Sequence, residues 1–188
     1  NHCFKLIGSI TIHAPSPQHT EMIPKLPRRH GFFEHYEELV GTWTRRLRNR
    51  QQAEDLALAL AQLHQRASEW GIDTARFALM GHSAGAHLAA LVALNPAYLS
   101  AAGFPLTSLR SVVLLDGAGY DIPRQIREGE NERLYRRVFG EDLATQQRLS
   151  PLSHATAPRV HWPAFQIHHV AKRRSSRDQA AALSGAIV

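Results

Sequence analysis

Residues 76–94 constrain this chain more than any other stretch. Arg76–Met80 (RFALM) is a short apolar run, bounded by Asp73-Thr74 and Gly81. Its length and boundaries read as a buried strand. Ala84–Leu94 (AGAHLAALVAL) reads as an apolar helix stopped by Asn95-Pro96. Between them stands Gly81-His82-Ser83-Ala84-Gly85, a G-x-S-x-G motif. A strand that becomes a helix within so few residues needs a tight, strained corner, and glycines on both sides let the two backbone arms approach. Ser83 is the candidate nucleophile at that corner. The Ala84 N–H, at the new helix's N-terminus, is placed to donate to an oxyanion.

The rest of the pattern extends the alternation. Ala53, Leu56, Leu60 and Leu63 recur at helical spacing, which predicts a helix over 51–70 with Glu54 and Asp55 in its first turn and Gly71 as C-cap. Ser111–Leu115 (SVVLL) reads as a second buried strand, ending in Asp116-Gly117. Short polar helices are expected over 131–139 and 141–149, split by Gly140. A third strand lies within 163–170, and a terminal helix over 176–187. Residues 4–12 could form one more strand, followed by Pro15, Pro17, Pro24 and Pro27, which break regular structure. Continuously apolar strands alternating with helices predict an α/β fold: a parallel sheet covered on both faces, three layers in all.

Composition narrows the class. At 188 residues, 44% hydrophobic and 20% charged, the chain is expected to be one globular domain. No run reaches the ~18 apolar residues of a membrane span, no leader pattern is visible, and a cytoplasmic location is the default expectation. Cys3 is the only cysteine, so no internal disulfide can form. No metal or organic cofactor is expected. The net charge of +6 invites an anionic partner, but it is unevenly distributed. Residues 1–50 hold 8 basic and 4 acidic side chains, residues 51–142 hold 8 and 11, and residues 143–188 hold 6 and 1. The basic clusters Arg45–Arg50 and Lys172–Arg177 lack interleaved aromatics and sit on no nucleic-acid motif. No nucleic-acid partner is expected, and the partner is expected to be a small ester.

Over residues 51–170 the chain resembles the serine esterase/lipase branch of the α/β-hydrolase superfamily. It is most similar to small bacterial carboxylesterases related to feruloyl and acetylxylan esterases. The likeness is carried by QQAEDLALALAQLHQRASEWGIDTARF, ALMGHSAGAHLAALVAL, SVVLLDGAGYDIPRQI and SPLSHA. It implies ester hydrolysis through an acyl-enzyme on Ser83, with Gly81, His82 and Gly85 forming the elbow. It also implies an acid after the third strand and a histidine one strand further on.

The chain departs from that pattern in three places. The expected acid falls near Lys172, where the text is AKRRSSR, and no carboxylate lies between Asp142 and Asp178. The latter sits in the terminal helix. No strand with a histidine loop follows the third strand. His154, His161, His168 and His169 lie before or within it. No His-Gly-Gly oxyanion segment occurs in 1–50, and His30-Gly31 follows Arg28-Arg29 rather than a strand. Asp116 is the candidate substitute acid, with Asp121 a second, and both also suit turn chemistry. His169 is the candidate substitute base, near a strand's C-terminal end. His87 is expected to pack in its helix.

Three readings follow. They are an active serine esterase with a non-standard triad, a truncated or degenerate esterase-like domain, and a basic anion-binding module. The sheet is expected to be incomplete at both ends, as a fragment boundary or shifted reading frame at each end would leave it. An exposed sheet edge would then favour self-association.

Overall fold

A computed structural model describes residues 49–129, 131–155 and 162–187. The expected strand over 4–12, the prolines after it, Cys3, His30-Gly31 and His161 lie outside the described residues. Helix α1 spans Asn49–Gln65 and buries Ala53, Ala57, Leu60 and Ala61 at helical spacing. It starts earlier than expected, so Glu54 and Asp55 sit beyond its first turn, which holds no acid. The expected single helix over 51–70 is also broken at Arg66. Ala67–Trp70 follows as the short helix α2, and Gly71 closes it at φ 63° with its N–H on the Ala67 carbonyl. Glycine takes that positive φ without the strain a Cβ would bring.

Strand β1 is Phe77–His82, β2 is Leu109–Leu115 and β3 is Ala164–His168. They pair in parallel in the order β1-β2-β3. Parallel strands need crossovers. The first runs through α3 (Ala84–Leu94), α4 (Pro96–Ala101) and a 3₁₀ turn at Leu106–Ser108. Helix α4 was not expected, because Asn95-Pro96 reads as a stop. Asn95 instead caps a new helix, its side chain accepting from the Ala97 N–H at 3.2 Å, and Pro96 takes the first helical position. The second crossover carries α5 (Ile122–Glu128), α6 (Glu132–Phe139), α7 (Leu143–Arg148) and α8 (Pro151–Ala155). Helix α9 (Arg174–Ile187) follows β3.

Register explains the core. Leu79 pairs with Val112, and Val112 with Phe165; Gly81 pairs with Leu114, and Leu114 with Ile167. These rows share one face, where Leu79, Val112 and Leu114 are buried. Helix α3 packs there on β1 and β2, α9 packs on β3, and α8 joins the two helices. Four of the eight buried side chains of α3 are alanines, which lets the helix approach the sheet closely. The opposite face carries Met80, Val113 and Leu115, which are half-buried, and Gln166 and His168, which are exposed. Among the described residues, therefore, one helical layer covers one face of the sheet, and the expected second layer is not among them. Strand β3 alternates between half-buried and exposed rather than being apolar throughout. It is the last strand in the sheet order, so its outer edge has no strand partner among the described residues.

Candidate functional site

Ser83 joins β1 to α3 and belongs to both. Its N–H donates to the Leu115 carbonyl at 2.9 Å, extending the β1–β2 ladder. Its own carbonyl accepts from the Ala86 and His87 N–H groups at 3.0 and 3.3 Å, opening the helix. Meeting both demands forces φ 54° and ψ −118°, a region that a non-glycine residue occupies only under strain of about 1–3 kcal/mol. Gly81 makes the corner possible. A Cβ there would lie 2.2 Å from the Gly85 carbonyl oxygen and 2.7 Å from the Ala86 nitrogen. Ser83 is half-buried, His82 and Ala84 are exposed, and among the described residues Ser83 Oγ makes no hydrogen bond. Ala84 is the first residue of α3, and an α-helix leaves its first N–H donors unpaired.

The three strand ends lie side by side, so Ser83, Asp116 and His169 all stand at the C-terminal edge of the sheet. Asp116 follows β2 at φ 48°. Its N–H donates to the His168 carbonyl at 2.7 Å, and its Oδ1 accepts from the Val170 N–H at 3.3 Å. Its Oδ2 is ion-paired with Arg173. Burial pushes this carboxyl up. The neighbouring Ser176 hydroxyl joins the Val170 N–H and Arg173 in outweighing burial and holding it below its ordinary 3.8.

Asp116 thus grips the backbone on both sides of His169 but not its ring. His169 lines a groove of about 390 Å³ with Phe165, Ile167, Arg177, Ala180 and Ser184. Among the described residues no imidazole hydrogen-bonds to Ser83 or to a carboxylate.

The remaining candidates have other partners. Asp121 caps α5, accepting from the Arg124 N–H at 3.1 Å. Asp178 pairs with Arg174 and Arg177. His154 donates to the Arg148 carbonyl at 2.9 Å. His168 is exposed on the open face of β3.

His87 is buried. Its Nδ1 lies 3.0 Å from the Gly119 carbonyl, so that nitrogen carries the proton, and its buried Nε2 has no partner among the described residues. Burial, only partly opposed by the Gly119 bond, drives its pKa down to about 4. The Tyr120 hydroxyl is also buried with no partner among the described residues, where a Cβ on Gly117 would strike it at 2.1 Å. Sequence reasoning missed the Arg173 contact. The basic run 172–174 was visible, but its partner lies 57 positions away.

No helix among the described residues is long and apolar enough to cross a membrane. No group of three His, Cys, Asp or Glu residues among them could hold a metal. Residues 44–102 match the sequence model of BD-FAE, a bacterial feruloyl/acetylxylan-esterase-like α/β-hydrolase domain. That segment holds α1, β1, the Ser83 corner and α3. Residues 103–170, where the sequence also suggested likeness, lie outside the match. No curated protein and no solved structure matches the chain.

Proposed function

We propose that the chain is a serine carboxylic-ester hydrolase domain acting through an acyl-enzyme on Ser83. The carrying observation is the strained corner at Ser83, whose backbone is fixed by β2 on one side and by α3 on the other. In the proposed reaction Ser83 Oγ attacks the acyl carbonyl and gives its proton to a base. The Ala84 N–H donates to the oxyanion. The alcohol leaves with a proton, and water then releases the acid from the serine. His169 is the substitute base and Asp116 the substitute acid of this proposal. Both stand at the C-terminal edge of the sheet with Ser83, but among the described residues no hydrogen bond joins His169 to Ser83 or Asp116.

A second reading has its own support. Both Asp116 oxygens are engaged by Val170 and Arg173, and no imidazole reaches Ser83 among the described residues. These contacts suit an esterase-like domain that turns over slowly or not at all, since losing triad members removes several orders of magnitude in rate. A fluorophosphonate probe and short p-nitrophenyl esters separate the readings. Labelling and turnover that vanish in Ser83→Ala support the active enzyme. Labelling without turnover supports the degenerate domain. No labelling of a folded protein overturns the nucleophile assignment.

A further inference from the structure

We propose that the groove between β3 and α9 binds a carboxylic acid with an apolar body, its carboxylate held by Arg177. Small side chains open the groove. Arg177, Ala180, Ala181 and Ser184 stand at helical spacing along one side of α9, and Ile187 continues the row. Phe165 and Ile167 on β3, with His169 just beyond it, form the other wall. Ala180, Ala181 and Ser184 are too short to fill the space between, which amounts to about 390 Å³. Small-molecule sites run from about 300 to 1,000 Å³. The two ends of the groove differ. The Val170 N–H and Arg173 both meet Asp116, which fixes the start of α9 beside the end of β3. Arg177 therefore stands at the His169 end, and Ile187 lies about 15 Å further along the helix. One end carries a guanidinium, and the rest is walled by Phe165, Ile167, Ile187 and alanines.

Charge selects the ligand. No acidic side chain lines the groove. Residues 162–187 carry four basic side chains, and Asp178 is their one acid. Arg173 is answered by Asp116 from the end of β2. Arg174 and Arg177 share the single carboxylate of Asp178, so one positive charge is left over between them. Asp178 takes only the Nε of Arg177, at 2.9 Å, and the other guanidinium N–H groups of Arg177 have no hydrogen-bond partner among the described residues. The N-terminus of α9, whose first turn holds no acid, adds a partial positive charge at the same end. A guanidinium edge with two free donors matches a carboxylate in a bidentate pair. One excess charge and an apolar remainder fit one anionic group on an apolar chain. Strand β2 stands between β3 and the strand that ends at Ser83, and the groove stands whether or not Ser83 turns over.

Isothermal titration of the full chain with decanoate tests this, beside decanol and decyltrimethylammonium. Decanoate should bind at least about tenfold more tightly than either, since a charge-assisted hydrogen bond separates them. Arg177→Gln should weaken decanoate about tenfold and leave decanol unchanged, and Arg177→Lys should restore part of the loss. Ser184→Phe should fill the groove and abolish binding of both. Ser184 is exposed, so the thermal midpoint should not move. No decanoate binding by the folded chain overturns the proposal, and so does binding that Ser184→Phe leaves intact. Equal affinity for decanoate and decanol removes the role of Arg177 and overturns it too. Binding lost in Ser83→Ala but kept in Ser184→Phe would put the acid at the serine instead. If the free protein is a dimer that Ser184→Phe makes monomeric, and no decanoate binds, the groove is a contact between copies and the proposal fails.

Discussion

Arg173 holds the carboxylate of Asp116 across the ends of β2 and β3, 57 positions apart in the chain. The same carboxylate accepts from the Val170 N–H, and the Asp116 N–H bonds the His168 carbonyl. One residue therefore fastens the end of β3 to the end of β2. The basic run that displaces the expected acid supplies the counterion for the acid that remains.

This contact should appear in acid stability. The folded-state pKa of Asp116 is depressed below 3.8, so its stabilisation is present above that value and is lost as pH falls through the folded pKa. Arg173→Met should reduce the loss of stability on acidification. Urea midpoints from neutral pH down to about pH 3 measure it, and parallel profiles for both proteins would exclude a structural role for the pair.

Gly81→Ala tests the corner directly. The new methyl would sit 2.2 Å from the Gly85 carbonyl oxygen. Backbone on both sides cannot yield, so destabilisation of at least about 3 kcal/mol is expected. Gly185→Ala is the control, because a Cβ there meets nothing within 4 Å. It lies inside α9 and should stabilise by about 0.5–1 kcal/mol. Equal effects at the two sites in chemical denaturation would show that Gly81 is not in a tight corner.

Ser83→Gly should make the protein more stable. Glycine accepts φ 54° and ψ −118° without the strain that serine bears. Offset against the greater freedom of glycine in the unfolded chain, the net gain is expected near 1 kcal/mol. The same change should abolish fluorophosphonate labelling. A loss of stability on that substitution would mean that the serine side chain contributes contacts outweighing its backbone strain.

His87 should make folding pH-dependent in the mildly acidic range. Its pKa falls from 6.5 to about 4 on burial. Below 6.5 the unfolded chain binds a proton that the folded one refuses, so this contribution declines as pH drops towards 4, by at most about 1.4 kcal/mol per pH unit. His87→Leu removes the titrating ring, and should flatten that part of the profile. A slope unchanged by the substitution would place the effect on other histidines.

The sequence by itself determined the corner and its flanks. An apolar run, a glycine-framed serine and an alanine-rich helix are neighbours in the chain, and their geometry follows from backbone sterics over a few residues. The Gly71 cap and the Gly140 break between α6 and α7 were legible for the same reason. Helix α4 was not, because Asn95-Pro96 serves equally as a stop or as a cap, and packing against α1 chose the latter. Tertiary structure alone decided the fate of the candidate acid and base. Asp116 could have faced an imidazole or a guanidinium, and the register of β2 against β3 brought the Val170 N–H and Arg173 to it. His169, just past the end of β3, came to line the groove beside α9 without a hydrogen bond to Asp116 among the described residues. Contacts between residues 54 and 57 positions apart depend on how strands align, and no local pattern of side chains encodes that alignment.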